Sequence, residues 1–152
     1  MSGMRSADVV RVQDRTTASV EQVWSCVADP YSYADWVCGT AEIEGADAAW
    51  PGAGAQLHHR FGPWPLRFRD NTTVLECEPP NRLVLEAGAR PFGAVRAELQ
   101  MTSDGSGATV ELCEQLTAGL GVRWPRLGHT VQRLRNRSSL TALLALAERR
   151  AR

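Results

Sequence analysis

The chain contains no lysine: all 17 basic residues are arginine. Schiff-base chemistry through a lysine amine is therefore excluded. Cysteine is scarce, and Cys26, Cys38, Cys77 and Cys113 form no C-x-x-C pair, so the sequence carries neither a dithiol redox motif nor a zinc-binding spacing. No basic-then-apolar leader opens the chain, and no apolar run approaches the roughly 20 residues that a membrane span needs. Reduced thiols and a cytoplasmic location are expected, which makes the Asn71-Thr72-Thr73 sequon a chance match. An excess of one charge is also missing, since 17 basic residues meet 17 acidic ones. That balance removes any global electrostatic reason to expect nucleic acid or an anionic membrane as partner.

What is present fits one globular domain. With 152 residues, 43% of them hydrophobic, folding should bury roughly 70% of the surface exposed by the unfolded chain, enough for a core without disulfide or metal staples. The reading is a loose start over residues 1–7 and a single domain over residues 8–150.

Val9, Val10 and Val12 sit between charged residues and mark a first strand over residues 8–17. Ser19 and Gln22 have the spacing of a capping box. Val20, Val23, Trp24 and Val27 follow at helical intervals, and Asp29-Pro30 stops that helix. The aromatic stretch 31–37 reads as a second, broken helical turn. From residue 40 the pattern changes to strand-length segments divided by turn chemistry, over 40–48, 56–61, 66–78, 82–89, 94–102 and 108–116. Short connections between them imply antiparallel neighbours. In the last three strands Leu83, Leu85 and Ala87, then Val95, Ala97, Leu99 and Met101, then Val110, Leu112 and Leu116 share one face, while Glu86, Arg96, Glu98, Gln100 and Glu111 share the other. One face is wet and one is buried.

Residues 125–150 form the one long helix candidate able to cover the buried face. Leu127, Val131 and Leu134 share a side with Ser138, Thr141, Ala142 and Ala145, whereas Leu140, Leu143 and Ala147 lie opposite, so the apolar stripe changes sides halfway. Either the helix bends or its two halves pack against different surfaces.

This order of elements defines an α+β chain that resembles the START-like helix-grip fold of the polyketide cyclase/dehydrase and lipid-transport proteins, also called the SRPBCC superfamily. The resemblance rests on Thr17 to Trp24 followed by Asp29-Pro30 and Trp36, on Glu78-Pro79-Pro80-Asn81-Arg82-Leu83 at the centre of a mid-sheet hairpin, and on residues 107–114 as the last strand. It covers nearly the whole chain, but its motifs are structural punctuation and speak to fold more than to activity. It implies a curved antiparallel sheet wrapped around a long C-terminal helix, with a small hydrophobic molecule held between them. Some relatives of this kind catalyse aldol cyclisation or dehydration there. No cofactor or metal is implied.

On this frame the candidate ligand-binding residues are Trp36, His59, Phe68, Leu99, Leu112, Glu114, Leu134, Ser138 and Thr141. Ser138, Thr141, Ala142 and Ala145 would provide a roof of small groups over a cavity, or simply close helix-on-sheet packing with hydroxyls bonded back to the helix. Glu114 falls on the inward phase of its strand. It is either a general acid/base or ligand anchor with a raised pKa, or half of a salt bridge with Arg133 or Arg137, or turned out by a bulge. His59 is the inward member of His58-His59, as catalytic base or as a satisfied wall residue; the two rings point to opposite faces and cannot share a metal. The strand 66–78 shows no clear inward set: Phe68, Asp70 and Thr72 share one face, and Arg67, Arg69 and Asn71 the other. Cys26 and Cys113 read as buried small hydrophobes. Trp64, Phe92 and Trp124 sit in apolar loops that form either a cavity rim or a dimer contact.

Three functions stay open at this point. The chain binds a polyketide-, lipid- or isoprenoid-like molecule; or it is a cyclase/dehydrase in which Glu114 or His59 moves a proton; or it is a protein-interaction module with a filled interior. Monomer and homodimer are both compatible with the sequence.

Overall fold

In a computed structural model, residues 9–62, 65, 67–89, 93–119 and 125–152 are described. Seven strands form one antiparallel sheet: β1 (Val9–Thr16), β2 (Thr40–Ala46), β3 (Gln56–Phe61), β4 (Phe68–Glu78), β5 (Arg82–Ala89), β6 (Gly93–Ser103) and β7 (Ala108–Gly119). Their order across the sheet is β1-β7-β6-β5-β4-β3-β2, so the first strand closes onto the last while β2 to β7 run as a meander. The connection between β1 and β2 holds α1 (Val20–Val27), a 3-10 turn at Pro30–Ser32 and α2 (Tyr33–Trp36); α3 (Pro125–Arg150) ends the chain. This is the helix-grip arrangement.

Local chemistry accounts for the early elements. The Ser19 hydroxyl accepts from the Gln22 amide at 3.2 Å while the Ser19 amide donates to Gln22 Oε1 at 2.8 Å, closing the capping box. Val20, Val23, Cys26 and Val27 turn to the core. Asp29 caps the 3-10 turn by accepting from the Tyr31 amide at 3.1 Å. The hydroxyl of Tyr33 donates to the Val27 carbonyl at 2.8 Å, and Trp36 Nε1 donates to Ser32 Oγ at 3.1 Å. These bonds satisfy two polar groups that aromatic burial would otherwise strand.

The strand alternation holds. The outer face carries an ion-pair cluster in which Arg82 reaches Glu76 at 2.5 Å and Glu78 and Glu98 at 3.1 Å each. In β4 the strand is inward at Thr72 and Val74, and a register shift between Val74 and Glu76 then returns Glu76 to the wet face. That bulge is why no single apolar phase runs through the strand.

The C-terminal helix supplies the main correction. Leu127, Val131 and Leu134 are 67%, 48% and 64% exposed, and Ser138 and Thr141 are exposed too, so the first half of the expected inward stripe faces away from the sheet. The buried face is instead Gln132, Asn136, Ser139, Leu140, Leu143 and Ala147. These positions recur at intervals of three and four and make one straight stripe whose first half is polar. The helix therefore needs no change of packing side. Its second half sits on a filled core with Val23, Val27, Leu83, Leu99, Met101 and Val110. Its first half lies over open space.

Candidate ligand-binding site

Between the sheet and the first half of α3 lies a cavity of about 350 Å³. The sheet makes the space. Along β5 and β6 the inward residues pass from Leu83 and Met101 in the filled core to Ala87 and Ala97 on the cavity wall, and side chains this small leave volume that a leucine would occupy. Gly88 also lines it, and a Cβ at that position would collide with the Asp70 carboxylate. The expected roof of small helix residues is thus replaced by small residues on the floor.

Trp36, Leu99, Leu112, His59 and Glu114 all border this cavity. Phe68 does not; it packs on Phe61 with ring centroids 5.6 Å apart, and Phe61 is the ring at the wall. Leu134, Ser138 and Thr141 point away from it for the reason given above. Trp64, Phe92 and Trp124 lie outside the described residues. Arg135, Asn136 and Ser139, which the sequence reading passed over, form the helical side of the cavity. Ser139 Oγ accepts from the Cys38 amide at 2.9 Å and Arg135 Nη2 donates to the Cys38 carbonyl at 3.2 Å, tying the segment after α2 to α3.

Glu114 faces inward on β7, opposite Val10 and Ala97. Its carboxylate forms no bond with Arg133 or Arg137. Gln132 Nε2 lies 3.4 Å from Oε1, and the Asn136 amide, oriented with its nitrogen toward acceptors, donates to Oε2 at 2.8 Å. Burial pushes the Glu114 carboxyl above the ordinary carboxylate range, opposed by the charge of Arg135 and by the two amide donors. The side chain keeps partial accessibility because it opens on the cavity. Gln132 Oε1, by contrast, is buried without a partner.

His59 is 7% exposed and pairs through Nε2 with Thr72 Oγ1 at 3.0 Å. Its Nδ1 is enclosed with no partner, and its Nε2 is engaged by Thr72. Burial pulls the imidazole below its ordinary pKa, the nearby Asp70 opposes that shift, and His58 adds to it. Four strand spacings separate β3 from β7, about 19 Å along the ladder. His59 and Glu114 therefore mark two sides of one cavity, with Glu114 the titratable group on offer to a guest. Cys113 lies outside this site, and burial with the neighbouring Glu111 pushes its thiol up to about 12.

A helix-grip domain enclosing an apolar cavity with a carboxyl on its wall defines the class of protein. The chain belongs to the polyketide cyclase / dehydrase and lipid transport family, whose profile matches residues 7–148. No curated protein matches it. Among solved structures, a protein of Nitrosomonas europaea superposes with a TM-score of 0.76 at 15% identity, covering 97% of this chain and 99% of its own. The di-domain ARO/CYC StfQ from the steffimycin biosynthetic pathway gives 0.72 at 11% identity, with 94% of this chain and 52% of StfQ covered. DynU16, a protein in the dynemicin biosynthetic locus, gives 0.64 at 19% identity, covering 93% of this chain and 47% of its own. At these identities the likeness is one of fold.

Proposed function

We propose that this chain binds a small, largely apolar molecule in the cavity between the sheet and α3. The observation that carries the reading is the cavity itself: about 350 Å³ walled by Trp36, Leu85, Ala87, Ala97, Leu99 and Leu112, with Glu114 as a fixed polar anchor. That volume falls within the range of small-molecule sites, and the balance of many apolar walls with few polar groups is what such sites use for affinity and orientation. A polyketide-, lipid- or isoprenoid-like compound bearing a hydroxyl or carbonyl near one end has the matching chemistry. The two biosynthetic proteins among the structural relatives support the polyketide class by analogy of fold. The four unpaired cysteines support a reducing, cytoplasmic setting. Titration with the neutral dye N-phenyl-1-naphthylamine tests the reading: saturable binding with blue-shifted emission is expected, and a flat titration rejects it.

A second reading, catalysis of a dehydration or aldol cyclisation, is favoured by the raised pKa of Glu114 and its opening on the cavity. In that reading a protonated Glu114 gives its proton to a departing hydroxyl, which leaves as water while a carbon-bound proton is lost to a base and the C=C bond forms. His59 can act as that base only by leaving Thr72. Turnover of a β-hydroxyketone by the native chain, lost in Glu114→Gln while dye affinity is kept, would establish this chemistry; equal turnover in the variant would remove Glu114 from it. An interaction module with a packed interior has no support from a cavity of this size.

A further inference from the structure

We propose that the outward face of the first half of α3 docks on an anionic lipid surface. Four large hydrophobic residues stand exposed among the described residues, and three of them, Leu127, Val131 and Leu134, lie on this one face. At about 100° per residue they fall within an arc of about 60°. Arg126, Arg133 and Arg137 occupy the adjoining arc and are exposed. None of these three guanidiniums forms an ion pair with a described residue, and Glu148 is the sole acid in α3. A chain with no net charge therefore carries a local patch of one sign beside three exposed apolar side chains.

The pairing selects the occupant. A second copy meeting this face about a two-fold axis would set arginine against arginine. Nucleic acid would engage the guanidiniums and leave the leucines in water. An anionic bilayer takes both, with phosphates at the arginines and the headgroup boundary around the aliphatic groups. The inference does not depend on what fills the cavity, although the same helical turns present Gln132, Asn136 and Ser139 inward. One helix diameter, about 10 Å, would then separate the lipid surface from the cavity.

Co-sedimentation of the full chain with vesicles of phosphatidylcholine alone, or mixed with phosphatidylglycerol, at low and physiological salt tests this. Binding is expected only to the mixed vesicles and should weaken with salt. Arg133→Gln with Arg137→Gln should reduce it about thirtyfold, and Leu127→Ser with Leu134→Ser about tenfold or more with charge unchanged. All four positions are exposed, so thermal unfolding of the variants verifies that they fold as the parent does. Absence of binding to the mixed vesicles, or full binding by the leucine variant, overturns the proposal. So does a dimer in light scattering that the leucine variant dissolves, since a second copy would then own the face.

Discussion

The Asn136 amide donates to Glu114 Oε2 at 2.8 Å, joining the long helix to the last strand through a polar contact inside an otherwise apolar layer. A buried carboxylate without donors costs several kcal/mol, on the order of the penalty for other uncompensated buried charges. Asn136 and Gln132 are the side chains that meet this cost, and they hold the first half of α3 above the sheet. Asn136→Leu should raise the Glu114 pKa further, read as a shift of its carboxyl carbon titration by NMR. An unchanged titration would remove Asn136 from the anchor.

The raised pKa of Glu114 has a sign that can be checked in stability. Above the ordinary glutamate value, about 4.3, the unfolded chain gives up this proton before the folded one does. The stabilising contribution is complete below that value and is lost as pH rises through the folded pKa. Glu114→Gln should therefore raise Tm at neutral pH, where the folded chain has lost this contribution. The difference should shrink toward acid. A Tm gain equal at all pH values would contradict the linkage.

His59 works in the opposite sense. Its folded pKa is lowered by burial, so the contribution is complete above the ordinary histidine value, about 6.5, and is lost as pH falls from there through the folded pKa. His59→Gln should flatten the acid limb of the Tm profile over that window. Proton NMR should find the His59 ring neutral at pH values where an exposed histidine is charged.

The face that α3 turns inward can be tested by paired truncations. Leu143 is fully buried and Leu134 is 64% exposed. Leu143→Ala should cost about 2–5 kcal/mol, and Leu134→Ala should change stability by no more than about 0.5 kcal/mol. Chemical denaturation gives both numbers, and a reversed order would restore the face read from sequence.

The hairpin between β6 and β7 offers a control remote from the cavity. A Cβ at Gly107 would overlap the Thr16 carbonyl oxygen, whereas one at Gly45 would meet nothing within 4 Å. Gly107→Ala should cost about 1–3 kcal/mol, and Gly45→Ala far less.

The elements and inward strand phases were legible because alternation in β5 to β7 is regular and the turn chemistry between strands is dense. Glu114 was found by the same alternation. The inward face of the helix is concealed because Leu127, Val131 and Leu134 are more apolar than the Gln132, Asn136 and Ser139 that displace them, and hydrophobicity alone chooses the wrong side when a buried acid demands amide partners. Extending the stripe of Leu140, Leu143 and Ala147 backward in steps of three and four reaches Asn136 and Gln132, so the signal was present. The bulge after Val74 hid the phase of β4, since a register shift erases period-2 reading on one side of it.

Most directly diagnostic is N-phenyl-1-naphthylamine binding to two tryptophan variants, Ala97→Trp on the cavity floor and Leu134→Trp on the outward face of α3. Lost binding in the first with native affinity in the second is the predicted pair of results. Native affinity in Ala97→Trp would place the dye elsewhere and contradict a guest held between sheet and helix.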